Sequence, residues 1–366
     1  MNAAAPLTEY RLTRFQFPRD RVIGDSQVRS DTMHCAALEL VTDGGAVGLG
    51  FMLSLFHPLP ALAEIERVFA EEVWPGLEGR APAGLVHKIS RPRGGNRRGP
   101  SLPFGDALQM ALWDLAAKQA GLPLYRLLGG TRNRVPAYAS GLDFHLSDDE
   151  FVAFFGRARE LGYTAFKIKV GHPEFERDLN RLALLRRAVG DKALVMIDAN
   201  EAWGAKEALV KLEKIRDAGF ALEWVEDPIL RDDFAGLTLL RDRVSWTKIN
   251  SGEYLDARGK RLLMEADAVD LLNIHGQISD MLHIGWLAAD RGIPIVLGNT
   301  FLEVGVHLAC ALPEVAWMEY SFLNYNHLVD EPVVIRDGYA YAPDRPGHGF
   351  VLSDSARRDW ARPDVG

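Results

Sequence analysis

Cysteine is scarce in this chain, and long apolar runs are missing from it. The two cysteines, Cys35 and Cys310, lie far apart and outside any C-x-x-C arrangement, which argues against a disulfide scaffold and favours a reducing, cytoplasmic setting with buried thiols. The first residues, MNAAAPLTEYRLTR, lack the apolar segment of a secretion signal. No uncharged apolar run approaches the roughly 20 residues that a bilayer span needs, so we expect no membrane partner.

Positive charge is also in short supply. With 42 basic and 50 acidic residues the formal net charge is −8, which argues against a general polyanion binder and predicts no nucleic-acid partner. One exception is RPRGGNRRG (residues 91–99), whose four arginines and three glycines indicate a solvated loop rather than an anion site. The 48% hydrophobic and 25% charged residues predict a globular chain with enough material for two domains.

A regular alternation of short apolar runs and helical stretches begins near residue 130. Lys169, Asp198, Glu226 and Glu253, near the ends of successive runs, are 29, 28 and 27 residues apart, each the length of one strand, one helix and two loops. This alternation predicts a parallel sheet, and eight units in about 190 residues predict a closed (β/α) barrel. The eight runs are VPAYAS, AFKIKV, ALVMIDAN, LEWVEDP, TKINSGE, AVDLLNIH, IPIVLGN and AWMEYS.

The second run places two lysines on one side of a strand. In TAFKIKVGH (residues 164–172) side chains alternate, so Lys167 and Lys169 share the face opposite to Phe166 and Ile168. A solvent-facing strand of an antiparallel sheet would also carry such lysines, but barrel strands are covered by helices on the outside. We therefore expect both lysines to point into the barrel near its carboxyl end, where barrel active sites lie.

Three carboxylates follow at the ends of the next three runs. Asp198, Glu226 and Glu253 would repel one another unless something positive lies between them, and an all-oxygen ligand set selects a hard cation such as Mg²⁺. The alternative is a buried salt-bridge network with the two lysines, which is costly without a functional return.

These motifs resemble the enolase superfamily, specifically its mandelate racemase and muconate lactonizing enzyme members. FKIKVG, IDAN, WVEDP and SGE match the family's Lys-x-Lys strand and its three metal-ligand strands in order. TDGGAVGLG resembles its early hairpin, residues 104–130 its last capping helix and linker, and RPGHGF its return to the first domain. The likeness covers nearly the whole chain. It implies a modified (β/α)8-type barrel, (β/α)7β, at 131–324 and an α+β capping domain at 1–130 completed by 325–366.

The resemblance also implies roles for these residues. Asp198, Glu226 and Glu253 bind Mg²⁺, which holds the substrate carboxylate, and Lys169 removes the proton from the adjacent carbon. Lys167 helps to stabilise the resulting enediolate. The expected partners are a small-molecule carboxylate substrate and further copies of the chain in a homo-oligomer.

The sequence departs from the family at the side facing the base. Racemases carry a His on the seventh strand and lactonizing enzymes a Lys on the sixth, whereas this chain offers Gly298, Asn299 and Thr300, or Asn273 and His275. His275 is the candidate acid or base, although a histidine at a strand end is as often structural. Further candidates for substrate contact are Glu319 on the eighth strand, Asn273, Tyr138 and His145.

Capping-domain loops select the substrate in this family. We expect them near residues 17–22 (FPRDRV) and 51–59 (FMLSLFHPL), where Arg19, Arg21 and His57 are candidate substrate contacts unless they are merely exposed.

Three functional hypotheses follow. The first is a Mg²⁺-dependent dehydratase of a sugar acid or another 2,3-dihydroxy acid, because elimination needs one base and one acid and tolerates the missing histidine. The second is a racemase, epimerase or cycloisomerase of a carboxylate, which needs a second partner. The third, a non-catalytic ligand-binding relative, is disfavoured because the base and all three metal ligands are present.

Overall fold

The structure is a computed structural model that describes residues 5–87, 100–298, 304–323 and 325–362. The arginine-rich segment 91–99 and the seventh-strand residues Asn299 and Thr300 lie outside this part of the chain. Within it, no helix has both the length and the apolar character needed to cross a membrane.

The chain begins with a three-stranded antiparallel sheet. Its strands β1, β2 and β3 follow one another in the sheet in chain order and occupy Leu7–Gly24, Arg29–Thr42 and Val47–Ser54. The turn between β2 and β3 lies in the predicted hairpin TDGGAVGLG and contains Gly45 at φ 76°, a conformation that glycine adopts without steric cost. Residues 17–22, expected in a loop, belong to the long strand β1.

Helices cover one face of this sheet. They are α1 (Leu62–Val68), a π-helical turn (Phe69–Val73), 3-10 turns at Trp74–Gly76 and Pro82–Gly84, α2 (Gly105–Gln119) and α3 (Leu124–Leu127). Helix α2 lies so close to β3 that a Cβ on Gly50 would stand 1.9 Å from the carbonyl oxygen of Ala107. Glycine at this position therefore permits the contact between helix and sheet.

Eight parallel strands close into a barrel, as predicted. Neighbouring strands pair in chain order, and β11 pairs back onto β4 with Glu319 opposite Tyr138. In the described part of the chain, seven helices lie between these strands and give the (β/α)7β pattern. The strands are β4 (Arg134–Ser140), β5 (Ala165–Lys169), β6 (Leu194–Asp198), β7 (Trp224–Glu226), β8 (Lys248–Ser251), β9 (Leu271–Ile274), β10 (Ile295–Leu297) and β11 (Val315–Tyr320). The helices are α4 (Asp148–Glu160), α5 (Phe175–Val189), α6 (Ala205–Asp217), α7 (Phe234–Arg243), α8 (Ala257–Glu265), α9 (Ile278–Asp290) and α10 (Gly305–Ala311).

The barrel interior is filled in layers. An apolar floor comes from alternate strand positions, and the residues two places further along those strands form a polar layer above it. The floor consists of Tyr138, Ala165, Met196, Trp224, Leu271 and Val296. The polar layer includes Ser140, Lys167, Asp198, Glu226, Asn273 and Glu319, all 3% exposed or less.

The C-terminal segment returns to both parts of the molecule. A 3-10 turn (Asn326–Leu328) is followed by β12 (Val334–Arg336) and β13 (Tyr339–Tyr341), and β13 pairs antiparallel with β4. Helix α11 (Asp354–Trp360) then packs against β1. His348, in the RPGHGF segment, donates its backbone N–H to Asp114 of α2 at 2.9 Å, which fastens the C-terminal return to the capping helix.

Candidate active site

Both lysines of the second barrel strand point into the barrel, as predicted. Lys167 is 1% exposed and Lys169 is 6% exposed. The strand register puts Lys169 beside Asp198, and Asp198 beside Glu226. The candidate base Lys169 and two of the candidate metal ligands therefore lie at the same level of the sheet. Parallel pairing of strands with equal unit lengths produces this convergence from residues nearly 60 positions apart.

Lys167 is surrounded by three carboxylates. Its Nζ lies 2.6 Å from Glu226 Oε1, 3.3 Å from Glu319 Oε1 and 3.6 Å from Asp198 Oδ2. Burial opposes the charged form of the lysine, but these carboxylates outweigh it and raise its pKa well above the ordinary value. Lys167 is therefore a fixed positive charge.

Lys169 donates to two groups of the third barrel strand and its following loop. Its Nζ lies 2.5 Å from Asp198 Oδ2 and 2.8 Å from Asn200 Oδ1, while its backbone N–H donates to Asp143 Oδ1 at 3.2 Å. Burial disfavours the ammonium, yet the Asp198 carboxylate raises the pKa of Lys169 above its usual range. Lys169 is thus protonated while it remains paired with Asp198.

Glu226 accepts hydrogen bonds from three neutral donors besides Lys167. Trp224 Nε1 lies 3.2 Å and Asn250 Nδ2 3.0 Å from Oε2, and Asn273 Nδ2 lies 3.1 Å from Oε1. These donors fix the carboxylate at the centre of the polar layer. Asn273 is fully buried and its amide is directed to Glu226, although its Oδ1 is a buried acceptor without a hydrogen bond.

The cluster carries more negative than positive charge. When its four carboxylates, Asp198, Glu226, Glu253 and Glu319, are all ionised, they exceed the two lysine charges by two negative charges. Burial and the neighbouring carboxylates raise the pKa of Glu253 to about 7 and that of Glu226 well above its usual range. A surplus of two negative charges on oxygen donors fits one divalent hard cation.

The lysines occupy the space between the carboxylates. Among the described residues, no three acidic, histidine or cysteine side chains are already arranged to hold a metal ion. Glu226 and Asp198 are instead paired with Lys167 and Lys169. The chemistry of the donor set fits Mg²⁺, and the distances describe the lysine-paired state.

The residues across the barrel from Lys169 come from the sixth strand. In an eight-stranded ring β9 is four strands from β5, so Asn273 and His275 lie on the opposite side from the base. His275 follows β9 at the rim, is partly exposed, and its ring packs against Tyr254 at 5.8 Å. At the end of β10, a Cβ on Gly298 would meet Asn273 Oδ1 at 2.7 Å, so this position has little room for a side chain.

Of the other predicted substrate contacts, the structure brings Glu319 to Lys167, at 3.3 Å, and places Tyr138 and His145 elsewhere. Tyr138 is fully buried in the floor of the barrel, with Lys167 Nζ 5.3 Å from its ring centroid. Its neighbour Glu319 lies in the polar layer. His145 is exposed on the loop after β4 and its Nε2 lies 3.0 Å from the carbonyl oxygen of Val28, which makes Nε2 the protonated nitrogen.

The predicted capping-loop residues are in different environments, because Arg19 and Arg21 bind backbone carbonyl groups and His57 is exposed. Arg19 is 8% exposed and donates to the carbonyl oxygens of Leu323 and Leu55, at 3.2 and 3.1 Å. Arg21 donates to carbonyl oxygens after the first and last barrel strands. His57 is exposed on the loop after β3. Both guanidinium groups thus bind backbone, which their positions in the sequence do not reveal.

Sequence reasoning missed several residues that hold the site together. Asn200 and Tyr254 lie inside or directly after the motifs IDAN and SGE, and Asn250 lies three residues before Glu253. Asp143 and Lys260 are buried polar residues on loops or helices outside those motifs. Strand parity counted back from Glu253 does not find Asn250, three positions away, and it is the register with β7 that places Asn250 beside Glu226.

A comparison with family models tests the resemblance. The model of the enolase C-terminal domain-like family matches residues 150–356, more than half of the chain. This chain belongs to the enolase superfamily. Within the superfamily it falls among proteins related to mandelate racemase and muconate lactonizing enzyme, so the resemblance carried by the four motifs is confirmed.

Relatives in the enolase superfamily include dehydratases and isomerases. The L-talarate/galactarate dehydratase of Salmonella typhimurium is 34% identical over 301 residues, covering 81% of this chain and 70% of that enzyme. Its structure liganded with Mg and L-lyxarohydroxamate has a TM-score of 0.83 and 29% identity, covering 98% of this chain and 93% of that one. The 3,6-anhydro-alpha-L-galactonate cycloisomerase of Streptomyces coelicolor is 30% identical over 344 residues, covering 88% of this chain and 92% of that enzyme.

A third superfamily member has much higher identity. A crystal structure from Mesorhizobium loti, provisionally named a mandelate racemase, is 64% identical with a TM-score of 0.94, covering 98% of this chain and 95% of that one. The barrel and the antiparallel capping sheet are therefore features shared with this enolase-superfamily structure over almost the whole chain.

Proposed function

We propose that this protein is a Mg²⁺-dependent enzyme that removes the α-proton of a carboxylate substrate and dehydrates a sugar acid or a related hydroxy acid. The observation that carries the proposal is the buried cluster of two inward lysines and four carboxylates at the carboxyl end of the barrel. So many buried charges are costly unless a ligand uses them, and perturbed groups of this kind concentrate at functional sites.

Asp198, Glu226 and Glu253 are the proposed Mg²⁺ ligands. Their surplus negative charge and their positions on consecutive strands support this assignment, as does the Mg in the structure of the Salmonella typhimurium dehydratase. When bound, the ion supplies positive charge for the substrate carboxylate and for the second negative charge that forms on it after proton loss.

Lys169 is the proposed base and Lys167 the proposed electrostatic partner. A base must be neutral, and the Asp198 carboxylate keeps Lys169 protonated in the lysine-paired state. Without that pairing, burial and the neighbouring Lys167 charge favour the neutral amine, and the smaller effects of Glu319 and Glu253 oppose them. Lys167 retains Glu319, which is not among the proposed metal ligands, and remains charged, so it stabilises the enediolate without exchanging a proton itself.

His275 is the proposed acid for the departing hydroxyl group. It directly follows the sixth strand, across the barrel from Lys169, so a substrate between them would present its α-hydrogen to one side and its leaving group to the other. Elimination then needs only this pair. Racemisation, epimerisation or cycloisomerisation is the second candidate, supported by the cycloisomerase and racemase names among the relatives.

The test uses α-proton exchange and product formation together. We expect a library of acid sugars incubated with the protein and Mg²⁺ to yield a 2-keto-3-deoxy acid from at least one member, and full activity after exhaustive chelation would contradict the metal assignment. Lys169→Ala should abolish exchange of the α-proton with deuterated water. Lys248→Ala is the control, because Lys248 is half-exposed in a surface ion pair with Glu223 on the neighbouring part of the barrel.

Three further features belong to the proposal. We propose a homo-oligomer, supported by large exposed apolar side chains such as Trp286 (57% exposed), and light scattering tests it. We propose a cytoplasmic location, supported by the two buried, unpaired cysteines. The division into a capping domain (1–130 with 325–366) and a barrel (131–324) stays a proposal, and limited proteolysis near residue 130 tests it.

A further inference from the structure

Two cavities meet at Tyr254, beside the cluster of lysines and carboxylates. The first, of about 360 Å³, is lined by Glu253 and His275. The second, of about 640 Å³, is lined by Asn200 and by Phe56 of the capping loop. Tyr254 lines both cavities, so its side chain stands between the proposed metal ligand and the space under the cap.

The Tyr254 ring is held in place although it is exposed. The guanidinium carbon of Arg231 lies 4.7 Å from the ring centroid, and the His275 ring packs edge-on at 5.8 Å. Arg231 is itself fixed by Glu201 at 2.6 Å and Asp227 at 3.1 Å. The side chain nevertheless remains 59% exposed, so a preorganised phenol faces the two cavities.

The backbone on either side of Tyr254 is fixed from below. Lys260, on α8, is 3% exposed, and its Nζ donates to the carbonyl oxygens of Glu253, at 3.1 Å, and of Leu255. A buried ammonium bound to two carbonyl groups is a strong constraint on a short loop. The segment that carries the third proposed metal ligand therefore also sets the position of Tyr254.

The walls of both cavities are rich in carboxylates. In the described part of the chain their lining includes seven acidic side chains: Asp25, Asp106, Glu201, Asp232, Glu253, Asp256 and Asp280. The lining has two basic side chains, Lys260 and Arg231, and both are bound to groups of the protein. A second carboxylate on the substrate would meet repulsion here, whereas neutral hydroxyl groups would meet hydrogen-bond acceptors and a phenol.

We propose that the substrate is a monocarboxylic acid with a neutral, hydroxylated tail, of the aldonate rather than the aldarate class, and that Tyr254 binds this tail. Arg231 and Lys260 are positioning residues for the phenol. The proposal rests on the proposed function, since the substrate carboxylate at the metal end sets where the tail lies. It also separates this chain from the L-talarate/galactarate dehydratase, whose name denotes substrates with two carboxylates.

The first experiment compares aldonates with aldarates of matched configuration, by α-proton exchange in deuterated water and by keto-acid formation. We expect kcat/KM to be at least about tenfold higher for an aldonate, which corresponds to a difference of about 1.4 kcal/mol in transition-state binding. Equal or faster turnover of the aldarates, or a preference for acids with an ammonium tail, would overturn this inference while leaving the proposed function intact. If none of the tested carboxylic acids exchanged its α-proton, both this inference and the proposed function would be overturned.

The second experiment separates substrate contact from structure. Tyr254→Phe should raise KM for the preferred aldonate about three- to tenfold with kcat within about twofold, because it removes one hydrogen bond to the tail. The KM for glycerate, which has a short tail, should change less. The matched control is Tyr339→Phe, since Tyr339 also stacks with an arginine, Arg134, at 4.7 Å, but on β13 at the other end of the barrel. An unchanged KM in Tyr254→Phe would refute the contact.

The positioning role of Lys260 has its own measurement. Lys260→Met should accelerate backbone amide hydrogen exchange in residues 253–256 and raise KM for the aldonate, and Lys260→Arg should restore part of both. Unchanged amide exchange in the Met variant would show that the loop is held without the ammonium and would overturn the role.

Discussion

Removing the charge of Lys167 should destabilise the protein in a way that Mg²⁺ reverses. Lys167→Met keeps most of the side-chain volume and removes the ammonium that lies between Glu226, Glu319 and Asp198. The three carboxylates are 3% exposed or less, so water cannot replace the lost charge. A divalent cation can replace it, because it binds the same oxygen atoms.

The size of the effect follows from the burial of the group. Removing one partner of a buried ion pair costs about 3–5 kcal/mol. An unfolding entropy of roughly 2.1 cal/mol/K per residue gives about 0.8 kcal/mol/K for this chain of 366 residues, so the expected fall in Tm is about 4–6 °C. Saturating Mg²⁺ should recover much of that loss, which makes the Mg²⁺-dependent rise in Tm larger in the variant than in the natural protein.

Scanning calorimetry with chelator and with Mg²⁺ measures both quantities. Lys248→Met is the control, since its half-exposed ion pair with Glu223 should contribute about 0–1 kcal/mol and shift Tm by about 1 °C at most. A chelated Lys167→Met protein that melts within 1 °C of the natural one would refute the reasoning about buried charge. An equal Mg²⁺ response in both proteins would mean that the ion and the lysine do not serve the same carboxylates.

Two other predictions concern the reaction and the acid stability of the fold. For an authentic substrate in deuterated water, we expect proton exchange or elimination with only one configuration at the α-carbon, and interconversion of both epimers would identify a second base, with His275 as its first candidate. Burial lowers the pKa of His307 to about 3, and its Nδ1 accepts from Tyr125 N–H at 3.2 Å. The pKa of a histidine in the unfolded chain is about 6.5. The stability that neutral His307 contributes is therefore fully present above pH 6.5 and is lost as the pH falls from about 6.5 towards 3. His307→Gln should flatten this part of the Tm profile, and an unchanged slope would contradict the assignment.

The sequence was most informative about the barrel because its periodicities are local. Strand alternation put Lys167 and Lys169 on one face, and the near-equal spacing put Lys169, Asp198 and Glu226 at one level. Alternation does not set the depth of a residue along the barrel axis. Tyr138 therefore shares the inward face as expected but lies in the floor, one layer below the lysines.

The residues that sequence reasoning interpreted least well are those whose partners are distant in the chain. Arg19 and Arg21 lie in FPRDRV, a segment with the polarity of a loop, yet they belong to an 18-residue strand. Their acceptors are carbonyl oxygens 36 to 304 positions away, and every residue has a carbonyl group. No local pattern identifies such an acceptor, so the sequence alone presents these buried arginines as either exposed residues or candidate substrate contacts.

The hydrogen bonds of Arg21 limit which chimaeras of this protein and its relatives can keep the barrel intact. One guanidinium from β1 donates to Gly141 O, after the first barrel strand, and to Ser321 O and Phe322 O, after the last, so it bridges the joint where the cylinder closes. Its planar face also rests on Phe154, at 4.6 Å. The barrel consequently cannot be combined with another N-terminal sheet without losing these hydrogen bonds. A chimaera that exchanges the N-terminal sheet for that of a relative must bring an equivalent arginine, or leave three carbonyl groups at the joint without their donor.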